Sequence, residues 1–260
     1  MRVEKVIVCL LVAWCLMMPR TWAQAWSADC VQGVQSLMVK QEPALSLQNT
    51  ELVLFNKASE PLLIWQKPAP AVGTGLTILA GASPMFFEPA RRQNVLIRER
   101  VQMWRRNEFD YKAFHFDNFT QFVPVSAVML LNLAGVPSRD ERWSLFRRAA
   151  TSMLLVVGVT QSLKFAVDEL RPDRSSLTSF PSGHTAFAFS GAEMLRLEYS
   201  ETSVWIPVAG YAVAALTGFM RIYNDRHWAG DVLAGAGVGL LTADLSFWLN
   251  DWMDKKIWKR

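Results

Sequence analysis

The sequence predicts an all-α membrane protein, a bundle of five or six helical spans with its functional groups gathered at the outer membrane–water interface. Three observations predict it. Apolar residues make up 51% of the 260 residues and mean hydropathy is +0.14, both high for a soluble domain. The apolar residues fall into separate runs near the roughly 20-residue length that a span needs. Arg and Lys form scattered clusters between those runs instead of one basic tail, so the net charge of +4 suits membrane orientation and an anionic ligand.

At the N-terminus, Arg2 and Lys5 precede the apolar run 6–18, and Ala23-Gln24-Ala25 follows. That is the layout of a secretory signal peptide over residues 1–25; an uncleaved anchor is the alternative, with a core short for a span. Residues 26–118 read as an exported extension. Pro43, Pro61, Pro68 and Pro70 break any long helix in its first part. The run 71–87 is rich in Gly and Ala and carries Pro84, so it reads as a partial span or a re-entrant segment. Residues 91–112 contain Arg91, Arg92, Arg98, Arg100, Arg105, Arg106 and Lys112 interleaved with Leu96, Ile97, Val101 and Trp104, which predicts a basic amphipathic helix on anionic headgroups.

The membrane domain is expected over 119–250, with spans at 119–137, 149–163, 185–195 with its flanks, 204–220 and 232–249, followed by a basic tail over 251–260. Glu193 and Arg196 beside the third of these runs require a helix end at an interface or a place inside the bundle. Five spans fit a cleaved signal and six a retained one. Cys9 and Cys15 lie in the first apolar run, leaving Cys30 alone beyond it, so a disulfide scaffold is excluded. Asp29 before Cys30 argues against a lipid anchor there. No zinc-ligand spacing or recognition-helix pattern points to nucleic acid.

Polar residues concentrate in three clusters: Lys164 to Pro172, Ser179 to His184, and Arg221 to Asp231. Only a polar loop separates the first from the second, and two spans separate the second from the third, so all three are expected on one face. Arg139, Arg142, Arg147 and Arg148 lie one span before the first cluster, and Lys255, Lys256, Lys259 and Arg260 one span after the third. The positive-inside rule makes those groups cytoplasmic and turns the clusters outward, which suggests a bacterial inner membrane with the site facing the periplasm or exterior.

His227 and Asp231, four apart, are expected to share a helix face, the carboxylate fixing the tautomer and freeing the other ring nitrogen as nucleophile or base. A structural ion pair has the same spacing. Pro181-Ser182-Gly183-His184 opens the run from Thr185. Ser182 suits an N-cap, Gly183 permits close approach of a ligand, and the first N–H groups of the helix suit an anion. His184 there could serve as general acid, or be the surface histidine of an ordinary capped helix. Lys164 and Arg171, seven apart, are expected on one helix face until Pro172 stops the helix, with Asp168 as an internal partner for Lys164; Arg221 adds a second guanidinium suited to phosphate. His115, among Tyr111, Phe114 and Phe116, reads as an interfacial belt residue.

Lys164 and Arg171-Pro172, then Pro181 to His184, then Arg221, His227 and Asp231 resemble the three-part signature of the type-2 phosphatidic acid phosphatase family, whose site architecture is shared with vanadium-dependent haloperoxidases. The spacings match: six residues between Lys164 and Arg171, five between Arg221 and His227, three between His227 and Asp231. The motifs cover 164–231, and the similar membrane core extends the resemblance to about 119–250. Met220 departs from it, standing where the family usually has serine, and removes one hydroxyl donor.

The resemblance implies a metal- and cofactor-independent phosphatase acting on a membrane lipid phosphate or diphosphate. Phosphatidate, phosphatidylglycerol phosphate, a polyprenyl diphosphate and a lipid A phosphate all fit. His227 would form a phosphohistidine, and His184 would protonate the leaving group. Lys164, Arg171, Ser182, Gly183 and Arg221 would hold the phosphoryl oxygens. A vanadate-dependent haloperoxidase-like enzyme and a non-catalytic lipid- or anion-binding protein remain the alternatives.

Overall fold

In the computed structural model, residues 71–110 and 112–256 are described, with side chains from residue 74. The expected signal segment, residues 26–70 and residues 257–260 lie outside the described residues. Eight helices follow one another, with no strand among the described residues: α1 (Ala71–Phe86), α2 (Glu88–Phe109), α3 (Asp117–Thr120), α4 (Val123–Leu133), α5 (Arg142–Ala166), α6 (Gly183–Tyr199), α7 (Trp205–Tyr223) and α8 (Ala229–Lys256). The all-α membrane bundle is therefore as predicted. Helices α5, α7 and α8 are long and apolar enough to cross a membrane; Thr74–Phe86 and α4 are shorter apolar helices.

Helix α6 is the axis. Every residue from Ser190 to Tyr199 is buried, because small side chains (Ala186, Ala188, Ser190, Gly191, Ala192) let neighbouring backbones close in. Helix α8 crosses it through Gly235 and Gly239. A Cβ at either would lie 2.5 Å from the Ser182 carbonyl or 2.4 Å from that of Ala186. On its other side α8 receives α1, where a Cβ on Gly81 would stand 2.4 Å from the Ala234 nitrogen. Away from the polar clusters, Val128, Leu145, Met194, Leu195 and Phe247 fill the core between α4, α5, α6 and α8. Glu193, wholly buried, is tied to Arg196 and to the Tyr211 hydroxyl, so the charges beside the 185–195 run lie inside the bundle.

Three expectations about elements need correction. The single span expected at 119–137 is broken: α3 ends at Thr120, and α4 begins at Val123 with Pro124 in its first turn. Proline fits there because its missing N–H is not needed at a helix start. Eleven residues make only about 16 Å of helix. Next, the helix carrying Lys164 stops at Ala166, with Val167 extended, and does not reach Arg171. Residues 167–171 leave the helix and lie against the following loop, with Glu169 bridged to Thr178 and the Leu170 carbonyl accepting from Trp228 Nε1 at 2.9 Å. The restriction before Pro172 disfavours a helical Arg171, and β-branched Val167, extended at φ −129°, marks the earlier stop. Finally, Asp251 to Lys256, expected in a tail, continue α8. Arg147 bonds Asp254 at 2.8 Å and Arg148 bonds Asp251 at 2.7 Å, so the basic residues near the start of α5 meet the end of α8. Residues 91–109 of the basic segment are helical, within α2, with Leu96, Ile97 and Trp104 exposed.

The α1–α8 contact yields a test. Gly75 lies in the same helix as Gly81, but a Cβ there would meet nothing within 4 Å. Gly75→Ala should be neutral or stabilising by up to about 1 kcal/mol, through helix propensity. Gly81→Ala should destabilise by about 1–3 kcal/mol, through overpacking against backbone. Thermal unfolding in detergent compares them; equal midpoints would contradict the packing.

Candidate active site

The three clusters meet at one end of the bundle, and the carboxylate of Asp231 is where they meet. Asp231 lies in the first turn of α8 and its Oδ2 accepts from the Trp228 N–H at 2.9 Å, as a third-position acid closes a helix start. The same oxygen accepts the Ser179 hydroxyl at 2.5 Å and faces His227 Nδ1 at 3.4 Å. His227 therefore precedes α8 and does not share a helix face with Asp231. Its backbone N–H and that of Arg226 both donate to the Arg221 carbonyl, at 3.3 and 3.0 Å, folding the chain back at the end of α7. The His–Asp pairing is as expected; the local geometry is a turn entering a helix.

The second cluster lies against the third. The Ser182 N–H donates to the Asp231 carbonyl at 3.0 Å, and the Ser179 N–H to the Glu169 carbonyl at 3.0 Å. Ser182 is the N-cap of α6, but its side chain makes no cap bond and accepts from the Thr185 hydroxyl at 2.9 Å instead. Gly183 begins α6 in open space. His184 Nε2 bonds Asn118 Oδ1 at 3.1 Å. Arg221, His227, Arg171 and Lys164 all lie near enough to act on His184 electrostatically.

The basic residues divide their roles. Lys164 Nζ donates to the Thr178 and Pro181 carbonyls at 2.7 and 2.8 Å and lies 3.5 Å from that of Ser179. It braces the loop that delivers Ser179 and Ser182, and it makes no ion pair with Asp168. Arg221 is buried and pairs through Nη1 with Asp117, whose other oxygen takes the Asn224 amide at 3.0 Å. The Nε of Arg221 and the Nε of Arg171 are buried with no hydrogen-bond partner. Two guanidinium N–H donors held this way present a strong local demand for an anion. His115 is exposed beside Phe114 and Phe116. Met220 is buried at 5% exposure and contributes no donor.

Electrostatics favour a neutral His227. Burial pushes its imidazole down to about 4; the Asp231 hydrogen bond opposes this, while Arg221 and Lys164 add to it. With Nδ1 on the carboxylate, Nε2 keeps its lone pair at neutral pH. Burial, and then the charge of Asp231, raise Glu169 to about 8, so it stays protonated next to the pair.

Ser179, Glu169, Asp117 and Asn118 complete the site beyond the residues expected. Ser179 opens the second cluster, so position was its only signal. Asp117 and Asn118 reach Arg221 and His184 across more than sixty residues of chain, and no local pattern marks them.

The folded chain thus brings a buried His–Asp pair and two buried guanidinium groups together at one end of a helix bundle. Residues 146–255, a stretch that includes all three clusters, match the PAP2 superfamily. The chain is 43% identical over 142 residues to a lipid A 1-phosphatase of Porphyromonas gingivalis, covering 54% of this chain and 32% of that protein. It is 34% identical over 123 residues to phosphatidylglycerophosphatase B of Bacillus subtilis, covering 40% of this chain and 58% of that protein. The chain thus spans less than two thirds of either relative. Among solved structures it resembles a transmembrane PAP2 type phosphatidylglycerolphosphate phosphatase from Bacillus subtilis, at 24% identity and a TM-score of 0.47, over 72% of this chain and 96% of that one.

Glu169 supplies a pH test. Unfolded, it ionises near its ordinary value of 4.5; folded, it keeps its proton to about 8. Between those values the native state binds more protons, so this group lowers stability as pH rises. Glu169→Gln stays neutral and lacks that slope. Its thermal midpoint should gain on the wild type from pH 5 to pH 8; parallel curves would contradict a protonated Glu169.

Proposed function

We propose that this protein is a metal-independent phosphatase of a membrane lipid phosphate or diphosphate, working through a phosphohistidine on His227. The observation that carries the reading is the pair of buried, unpartnered Nε donors on Arg171 and Arg221, beside a neutral His227 held by Asp231. His227 Nε2 attacks phosphorus as the bond to the leaving oxygen breaks. His184, whose imidazole burial and then the Arg221 charge push down to about 3, takes up a proton when the anionic phosphate offsets those cations and gives it to that oxygen. It then takes one from the water that attacks the phosphohistidine, and inorganic phosphate leaves with His227 restored. Arg171, Arg221 and the N–H groups opening α6 at Gly183 stabilise the oxygens in the transition state. Lys164 and Ser182 contribute by shaping the loop, Lys164 adding positive charge at short range.

The site lies at the ends of α5 and α7 and the start of α8, a position that suits a lipid headgroup. The basic groups around α5 and α8 collect at the opposite end, which supports a cytoplasmic placement there and a periplasmic or external placement of the site. The relatives' names favour bacterial envelope lipids, with a lipid A 1-phosphate first among the candidates.

Phosphate release from lipid A 1-phosphate, phosphatidylglycerol phosphate, phosphatidate and undecaprenyl diphosphate, in detergent, tests this. At least one should be hydrolysed with chelator present. His227→Asn should lower that rate by about a thousandfold or more while lipid binding remains. Release surviving in the variant would refute the nucleophile. Bromide oxidation on adding vanadate and peroxide, with no phosphate release, would refute the phosphatase.

A further inference from the structure

The turn that carries His227 is held from outside its own motif by α2, more than a hundred residues earlier in the chain. Arg98 grips Asp225 with a two-bond fork, Nε to Oδ1 and Nη2 to Oδ2, both at 2.7 Å. One helical turn earlier, buried Asn94 Oδ1 accepts the Gly230 N–H at 2.9 Å. One turn later, Gln102 Nε2 reaches the carbonyls of Ile222 and Tyr223, each at 3.2 Å. Positions 94, 98 and 102 form one stripe on the helix, and their partners bracket His227 on both sides.

The character of that stripe distinguishes bracing from ordinary packing. Beside it, α2 leaves Val95, Leu96 and Ile97 exposed at 37, 46 and 40%. Farther along α2, Trp104 and Phe109 pack their rings on Tyr223, but its contacts with residues 225 and 230 on either side of His227 are polar, directional bonds, which fix a geometry where an apolar face would chiefly bury area. Asp225 also holds a left-handed backbone, φ 59°, which glycine adopts without cost and other residues do not. A turn needing only that conformation would be better served by glycine; the carboxylate there completes the fork. The Arg98 guanidinium further lies 5.8 Å from the Trp228 ring centroid, next to His227.

We propose that Asn94 and Arg98 are positioning residues for His227, acting through Gly230 and Asp225 to keep Nδ1 on Asp231 and Nε2 aimed into the anion cage. This rests on the phosphatase reading above. Arg98→Gln and Asp225→Gly should each lower kcat about tenfold or more with KM changed less than about twofold, since a small misplacement of a reacting group costs rate more than binding. The double variant should be no worse than either single one. Asn94→Ala should behave likewise, and Asn94→Asp, which keeps the acceptor, should recover most of the rate. Glu108→Gln, on an exposed part of the same helix, should leave kcat unchanged.

Asp225→Gly decides between the two roles, because a purely structural turn would tolerate or welcome glycine. It also carries the test if Arg98→Gln fails to fold. Orthovanadate binding followed by tryptophan fluorescence gives a second readout that needs no turnover, and both variants should weaken it about tenfold. A wild type that releases no phosphate defeats the phosphatase reading, and the vanadate comparison then judges the brace alone. Unchanged vanadate affinity in Asp225→Gly, or an active wild type with kcat unchanged in that variant, would overturn the proposal.

Discussion

One carboxylate oxygen, Oδ2 of Asp231, organises the functional end of this protein. It takes the Ser179 hydroxyl, the Trp228 N–H and the imidazole of His227, while the Asp231 carbonyl takes the Ser182 N–H. The donors come from two parts of the chain: the loop before α6 and the turn that joins α7 to α8. A buried carboxylate must be neutralised by donors or lose its charge. Three donors on one oxygen meet that requirement and lock the loops to each other. The glycine contacts of α8 with α6 and α1 bring the backbones close enough for this to happen.

Around that node the charges are arranged so that cations exceed their protein partners. Lys164 is tied to carbonyls, Arg226 to Asp173 at 3.1 Å, and Arg98 to Asp225. Arg221 is half-satisfied by Asp117, and both Arg221 and Arg171 retain a buried donor. In a low-dielectric setting such donors act strongly on an incoming anion and need no reorganisation to do so. The neutral His227 fits the same arrangement, since a protonated imidazole there would lose the free lone pair that the proposed nucleophile needs.

Much of this could be read from the chain, for identifiable reasons. Helices α5, α7 and α8 announce themselves by length and hydropathy, and the clusters by spacing and by span parity. The break between α3 and α4 is hidden because a hydropathy window treats Gln121 and Pro124 as interruptions of an apolar run. The role of Lys164 was obscured by assuming the helix continued to Arg171. Once the chain leaves the helix at Val167, the ammonium falls among loop carbonyls. Asp117 and Arg98 carry no local signal: one is a lone acid in an aromatic stretch, the other looks like any surface arginine of an amphipathic helix. Both acquire meaning only through partners more than a hundred residues away.

The central claim is that phosphorus is transferred to His227. Quenching the purified enzyme during turnover of a radiolabelled lipid phosphate, then mapping the labelled peptide, tests this most directly. The account predicts an acid-labile, base-stable label on the peptide carrying His227, absent from His227→Asn. Label on any other side chain, or turnover with a chemically competent enzyme and no phosphoenzyme at any quench time, would contradict it.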